Sequence, residues 1–243
     1  GGGPAGLCAA IAARRAGADV VLVERYGHFG GLWTGGLVLL VIGHIVKGGG
    51  QVCQGIGEEM MRRLDKLKGA IIDRKPGVGP TVDAEAVKYL MVEMIEEAGV
   101  KVFLHCWGVD AIVNDNLVHG AVFESKSGRQ AILAKNVVDA TGDGDVFAMA
   151  GASYERRSHN IGLVSRIGNL DRADGSKAGA VKPRHLGRRT PVPGVNWVNM
   201  HGPEVDGLDV EVLTRMEMNH RKFIWRNMQR TRSIPGYDKV YLM

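Results

Sequence analysis

The sequence predicts an α/β fold: a domain built on a parallel sheet with an inserted antiparallel meander, followed by a second α+β domain. Three observations predict it. A glycine-rich turn leads straight into a helix and then a short apolar strand. A run of strand-like segments with tight turns follows two further helices. A compact turn of small residues, Ala140-Thr141-Gly142-Asp143, then closes the first region. The expected boundaries are 1–151 for the first domain and 152–243 for the second.

The opening turn is Gly1-x-Gly3-x-x-Gly6, with Glu24 eighteen residues after Gly6. Each spacing has a mechanical reason. Gly1 permits the tight turn, Gly3 leaves room for a pyrophosphate against bare backbone, and Gly6 lets the helix lie close to the sheet. The helix start offers free N–H groups and a positive dipole end to phosphates. Ala9, Ala10, Ala12 and Ala13 make the helix slim, Gly17 ends it, and 20–23 read as a buried parallel strand. Glu24 then stands where a carboxylate meets the hydroxyls of an adenosine ribose. This is a Rossmann-like dinucleotide-binding unit. Its first glycine is residue 1, so the strand that delivers the chain into the turn is expected upstream, and the sequence reads as a piece of a longer polypeptide.

The segment 26–36 is rich in glycine and also holds Phe29, Trp33 and Thr34. It reads as a stretch lying along an extended ligand, with the amides of Gly30, Gly31 and Leu32 and the hydroxyl of Thr34 facing it. It contains no cysteine, which disfavours a flavin-linked disulfide reductase. The apolar stretch 37–46 reads as buried, with His44 more a packed histidine than a catalytic one, and 48–50 as a turn. A helix is expected over 56–68, with Met60, Leu64 and Leu67 inward and Gly69 as its stop. Asp83 caps a second helix to Ala98, in which Val87, Leu90, Met91, Met94 and Ile95 follow the i, i+3, i+4 pattern and Gly99 ends it. Residues 101–106, continued by 109–113, then 117–124 and 130–133 read as three strands turning at 114–116 and 127–128. Val137 and Val138 read as a buried strand, and Asp143 as the cap of a helix over 146–151.

Beyond residue 151, segments 161–167 and 196–200 read as strands of one antiparallel sheet, and 171–189 as a polar, basic loop. Asp209 caps a helix reaching Arg230, with Leu213, Met216, His220, Phe223, Ile224 and Met228 on one side.

Composition bounds the class. The chain has 243 residues, 45% hydrophobic, and no apolar run long enough for a membrane span. The net charge is +5, and the basic excess lies wholly beyond residue 150. It reads as a solvated face or as a surface for an anionic substrate. Nucleic acid is disfavoured because no aromatic residues interleave with the charge. The three cysteines, Cys8, Cys53 and Cys106, form no C-x-x-C, which argues against a metal site or a disulfide scaffold and fits a reducing, cytoplasmic setting.

The two glycine-containing motifs together resemble the flavin-binding signature of glutathione-reductase-like FAD proteins. The rest of the chain, including 127–129, 202–209 and 234–237, resembles the FAD-dependent oxidoreductase subfamily. That resemblance implies a glutathione-reductase-type FAD-binding domain. It places Gly1, Gly3, Pro4, Ala5 and Gly6 at the pyrophosphate, Glu24 at the adenosine ribose, and Arg25 beside adenine. Gly31, Leu32 and Thr34 would run towards the ribityl chain, and Val109 would touch adenine through its backbone. Ala140, Thr141, Gly142 and Asp143 would approach the pyrophosphate and ribityl chain. It also implies a further flavin-contacting segment beyond Tyr241-Leu242.

FAD would then supply the redox chemistry, with a small molecule as hydride donor or acceptor. Candidates for acid, base or carboxylate cation are His44, His159, Arg166 and His201. Three other readings stay open: an NAD-dependent dehydrogenase, a thiazole-synthase-like protein holding an ADP-ribose adduct, and a non-catalytic dinucleotide-binding protein.

Overall fold

A computed structural model describes residues 1–44, 50–72 and 79–243. The turn expected at 48–50 and the end of the apolar stretch 37–46 lie largely outside the described residues.

Helix α1 (Pro4–Arg15) starts with Pro at N1, where its missing N–H costs nothing. Its inward face is Leu7, Ala10 and Ile11 rather than the alanines at 12 and 13, and Gly17 ends it with φ +90°. Strand β1 (Val21–Val23) pairs in parallel with β4 (Lys101–Phe103). Between them come α2 (Ile56–Lys66), the antiparallel pair β2 (Ala70–Ile71) and β3 (Thr81–Val82), and α3 (Ala84–Ala98).

Helix α2 stops one turn before Gly69, because Lys68 itself takes the left-handed conformation (φ 56°). Leu67 is consequently turned outward, and Met61 fills the inner face with Met60 and Leu64. Gly69 is needed for a different reason: a Cβ there would lie 2.4 Å from Ala86 of α3. Helix α3 matches its expected bounds. The Asp83 carboxylate accepts the Ala86 N–H at 3.1 Å, Gly99 closes the helix at φ 68°, and Val87, Leu90, Met91, Met94 and Ile95 are all buried. Leu39 and Val41 are buried alongside, with Val82 donating to Leu39 and Val41 donating to Pro80.

The expected single strand through 101–113 is two strands in two sheets. His105 adopts φ 58°, a conformation that breaks a strand, and the chain leaves the parallel pair there. Strands β5 (Trp107–Asn114), β6 (Leu117–Ser125) and β7 (Gly128–Leu133) then pair antiparallel in chain order. Asp115 and Asn116, both at positive φ, make the first turn. Val137 and Val138 form no strand. No neighbouring backbone pairs with them among the described residues, and Val138 is 69% exposed. Helix α4 (Asp145–Met149) follows.

Beyond it, β8 (His159–Asn160) pairs with β12 (Glu204–Val205). A four-stranded sheet has the order β10 (Arg188–Arg189), β11 (Asn196–Val198), β9 (Ser165–Gly168) and β13 (Tyr241–Leu242). Helix α5 (Val210–Arg232) is capped by Asp209, whose carboxylate accepts from Glu211 and Val212. Met228 is its buried apolar anchor. Leu213, Met216, His220 and Ile224 are half-buried, and Phe223, expected inward, is 50% exposed. The main core gathers side chains from α1, α2, α3 and β1, and Trp197 and Val164 join it from the later sheet.

Candidate functional site

The two glycine-containing motifs, far apart in sequence, meet in space. A Cβ on Gly1 would lie 2.0 Å from the Ala140 carbonyl oxygen, and one on Gly6 would lie 1.8 Å from the Gly1 oxygen and 3.1 Å from the Ala140 Cβ. Neither position tolerates a side chain, as a turn packed this tightly requires. Gly3 is different. A Cβ there would meet nothing nearer than the Cα of Gly31 at 3.9 Å, and its backbone (φ −70°, ψ 178°) suits any residue. Bare backbone at this position therefore opens onto free space.

The N-terminus of α1 lines the same space. Its N-cap Gly3 makes no side-chain cap, and the amides of Ala5 and Gly6 have no acceptor among the described residues. On the far side a 3-10 turn, Gly31–Trp33, packs against Gly3, held by the Gly30 N–H donating to the Gly2 oxygen at 2.9 Å. Gly31 takes φ 51°, and a Cβ on it would press to 3.1 Å from the Gly3 Cα. Leu32 projects outward at 67% exposure. Thr34 faces the other way. It is 2% exposed, and its hydroxyl donates to the Phe29 oxygen at 2.7 Å, because the loop must satisfy its own buried carbonyls. Its hydroxyl is thus inside the loop and does not face a ligand.

Glu24 is 6% exposed, and its carboxylate accepts the Gly2 N–H at 2.5 Å and the Tyr26 N–H at 2.8 Å. The residue expected at a ribose thus also ties the glycine turn to the end of β1. Each oxygen keeps a further lone pair. The neighbouring Arg25 places its guanidinium 4.7 Å from the Tyr26 ring centroid and 5.2 Å from that of Trp107, a cation–π pair at the ends of β1 and β5. Val109 sits where the β5 register slips between Gly108 and Asp110, so its backbone has no ladder partner opposite.

At the second motif, the work expected of Asp143 falls to Asp139. Asp143 is exposed and caps nothing, and Gly144 is the N-cap of α4. The Asp139 carboxylate instead accepts the Thr141 N–H (3.0 Å), the Thr141 hydroxyl (2.7 Å) and the Phe147 N–H (2.9 Å). The Thr141 oxygen in turn accepts from Gly144 and Asp145. Burial raises the Asp139 pKa, but these bonds outweigh it and hold the carboxyl below its ordinary value. Thr141 is therefore occupied within its own turn. Gly142, at φ 96°, faces open space: a Cβ on it would have no atom within 4 Å. Sequence reasoning missed Asp139, although Asp two residues before Thr is a local pattern for an Asx turn.

The catalytic candidates separate. His44 is 2% exposed, with Nε2 3.6 Å from Glu58, beside α2. His159 and His201 lie on or beside the β8–β12 ribbon, both exposed, and Arg166 lies on β9. No hydrogen bond or ion pair joins any two of the four among the described residues. Among the described residues, no group of three or more His, Cys, Asp or Glu is placed to hold a metal, and no helix is long and apolar enough to cross a membrane.

The sequence matches the family described as FAD dependent oxidoreductase over residues 1–242. The chain belongs to the FAD dependent oxidoreductase family. A thiamine thiazole synthase from Methanococcus vannielii is 29% identical over 173 residues, spanning 67% of this chain and 60% of that protein. Among solved structures, a geranylgeranyl bacteriochlorophyll reductase-like protein from Thermoplasma acidophilum superposes with a TM-score of 0.59 at 17% identity, over all of this chain and 62% of that one. The p-nitrophenol 4-monooxygenase PnpA from Pseudomonas putida gives 0.56 at 15% identity, over all of this chain and 64% of that one. These two establish a shared mixed α/β fold. The chain spans under two thirds of the length of each of these proteins. Family membership supports FAD as the cofactor of this chain.

Proposed function

We propose that this chain holds FAD between its two motifs and that the protein transfers hydride between the flavin and a small-molecule substrate. The observation that carries the reading is the open backbone at Gly3. It is flanked by the uncapped start of α1 on one side and by the Gly31 turn on the other. A pyrophosphate needs close, unhindered N–H donors, and this cradle supplies them at the positive end of a helix.

In this reading Gly1, Pro4, Ala5 and Gly6 shape and line the phosphate end, with Gly142 and Asp143 opposite. Glu24 offers its remaining lone pairs to ribose hydroxyls. Arg25 and the unpaired backbone of Val109 border the adenine. Bound FAD supplies a two-electron acceptor. The residues of this chain exclude water, orient the substrate and move protons. His159 and His201, both solvent-accessible, are candidates for the last.

The test is the absorption spectrum of the purified protein with identification of the released chromophore. FAD released in about equal amount to protein is the expected result. A colourless protein that fails to take up added FAD overturns the reading. The 29% identity to a thiamine thiazole synthase favours one second reading, an adenylated ligand other than FAD in the same cradle. Mass spectrometry of the released ligand separates the two.

A further inference from the structure

The four-stranded sheet has two chemically different faces. On one, Ile167, Val198 and Leu242 pack with Met228 of α5 and with Val240. Side chains alternate along a strand, so Arg166 and Trp197 stand on the other face, where Trp197 and Val164 meet the core built by α1, α2 and α3. Arg166 and Trp197 are register partners on adjacent antiparallel strands, and such partners hold their side chains side by side. Arg188 is the register partner of Trp197 from the other flank. An indole therefore sits between two arginines in one row across the sheet.

Trp197 is 6% exposed. Its Nε1–H and the Nε–H of Arg166 are both closed off from solvent, and neither has a hydrogen-bond partner among the described residues. Both groups can only donate. A buried donor left without an acceptor is costly, more so when charged, and proteins rarely leave one unmet. Here two lie on neighbouring residues of one face. A group with two acceptor oxygens can answer both, and opposite a guanidinium a negative charge is favoured.

We propose that Arg166 and Trp197 form a recognition site for a carboxylate on the substrate. One carboxylate oxygen accepts from Trp197 Nε1–H and the other from Arg166 Nε–H. The permanently charged guanidinium favours an anion over a neutral acceptor here. Arg188, exposed at the rim, adds positive charge on the approach. The assignment of this carboxylate to the substrate rests on the flavoenzyme reading; the anion site itself does not.

Titration of the protein with benzoate, acetate and inorganic phosphate, and with benzamide as the neutral counterpart of benzoate, tests the site. Intrinsic tryptophan fluorescence and calorimetry are the readouts. FAD content is measured beforehand from the visible absorption, so that a failed cofactor reading and a failed anion site are separate results. Saturable binding of benzoate, at least about tenfold tighter than benzamide, is expected. Trp197→Phe and Arg166→Met should each weaken it by about tenfold or more, and Arg166→Lys should not restore it. Cooperative unfolding of each variant is checked in parallel; if Trp197→Phe does not fold, Arg166→Met decides. Three results overturn the proposal: no saturable anion binding, equal affinity for benzamide, or unchanged affinity in the folded variants. A tenfold preference for phosphate overturns the carboxylate assignment.

Discussion

The Glu24 carboxylate accepts the Gly2 amide at 2.5 Å, joining the second residue of the glycine turn to the end of β1 in a buried position. With the Tyr26 amide on its other oxygen, Glu24 organises the protein side of the cradle before any ligand arrives. Glu24→Gln replaces one acceptor oxygen by a donor that faces a donor. It is expected to lower stability by about 1–3 kcal/mol and to weaken FAD binding. Denaturant unfolding and FAD titration check the two effects separately. A variant with unchanged unfolding would show that the amide bonds carry no stabilisation.

Gly3 and Gly6 separate ligand binding from folding. Gly3→Ala meets no atom closer than 3.9 Å and keeps an ordinary backbone conformation, so its thermal midpoint should stay near that of the parent. Its methyl group would occupy the space assigned to the pyrophosphate, with affinity for FAD falling about tenfold or more, equivalent to ~1.4 kcal/mol. Gly6→Ala drives a methyl to 1.8 Å from the Gly1 oxygen and should destabilise the fold itself by about 1–3 kcal/mol. Equal stability of the two variants would refute the distinction.

Asp139 gives the second motif its pH dependence. Its carboxyl is held below the ordinary value, so its stabilisation is fully present above about pH 4 and is lost as pH falls through the depressed value. Asp139→Asn removes the charge that its N–H and O–H donors engage. It should cost about 1–3 kcal/mol at neutral pH and flatten the acid limb of the stability profile. Unfolding measured from neutral pH down to about pH 3 tests this. An unchanged acid limb would mean that Asp139 contributes nothing to it.

A chain of charges links three helices. Glu59 of α2 bonds Arg15 of α1 at 2.9 Å and Arg63 at 2.7 Å, and Arg63 reaches Glu97 of α3 at 2.7 Å. The hydrogen bond from Arg15, helped by both arginine charges against the cost of burial, holds the Glu59 carboxyl below its usual range. Glu59→Gln should cost no more than about 1 kcal/mol, and the cost should shrink as salt rises from low to about 1 M, since Arg15 and Glu97 are half exposed. A cost that does not respond to salt would contradict the electrostatic origin.

How legible the molecule was in its sequence depended on whether the deciding interaction was local. Helix α3 could be read because Asp83, Gly99 and the spacing of five apolar residues all lie within one stretch. The glycine turn could be read for the same reason, and the family match supports the FAD assignment drawn from it. The break at His105 could not, since the apolar alternation on either side continues across it and only the backbone conformation reveals it. Thr34 was misread because its hydroxyl answers a carbonyl five residues away inside a loop with no periodicity. The pairing of Arg166 with Trp197 is a strand register, which no composition or spacing within either segment encodes.

Trp197 has a wider consequence. It reaches from the late sheet into the core assembled by residues 7–100, and Val164 packs there with it. The early and late parts of the chain therefore meet in the main core, while the late sheet keeps a second apolar cluster on its other face. Heating should melt them together in a single transition, and a protease that cuts the connection near residue 152 should leave the two pieces associated. A substitution at Trp197 should therefore loosen the packing of α1, α2 and α3 as well as that of the late sheet.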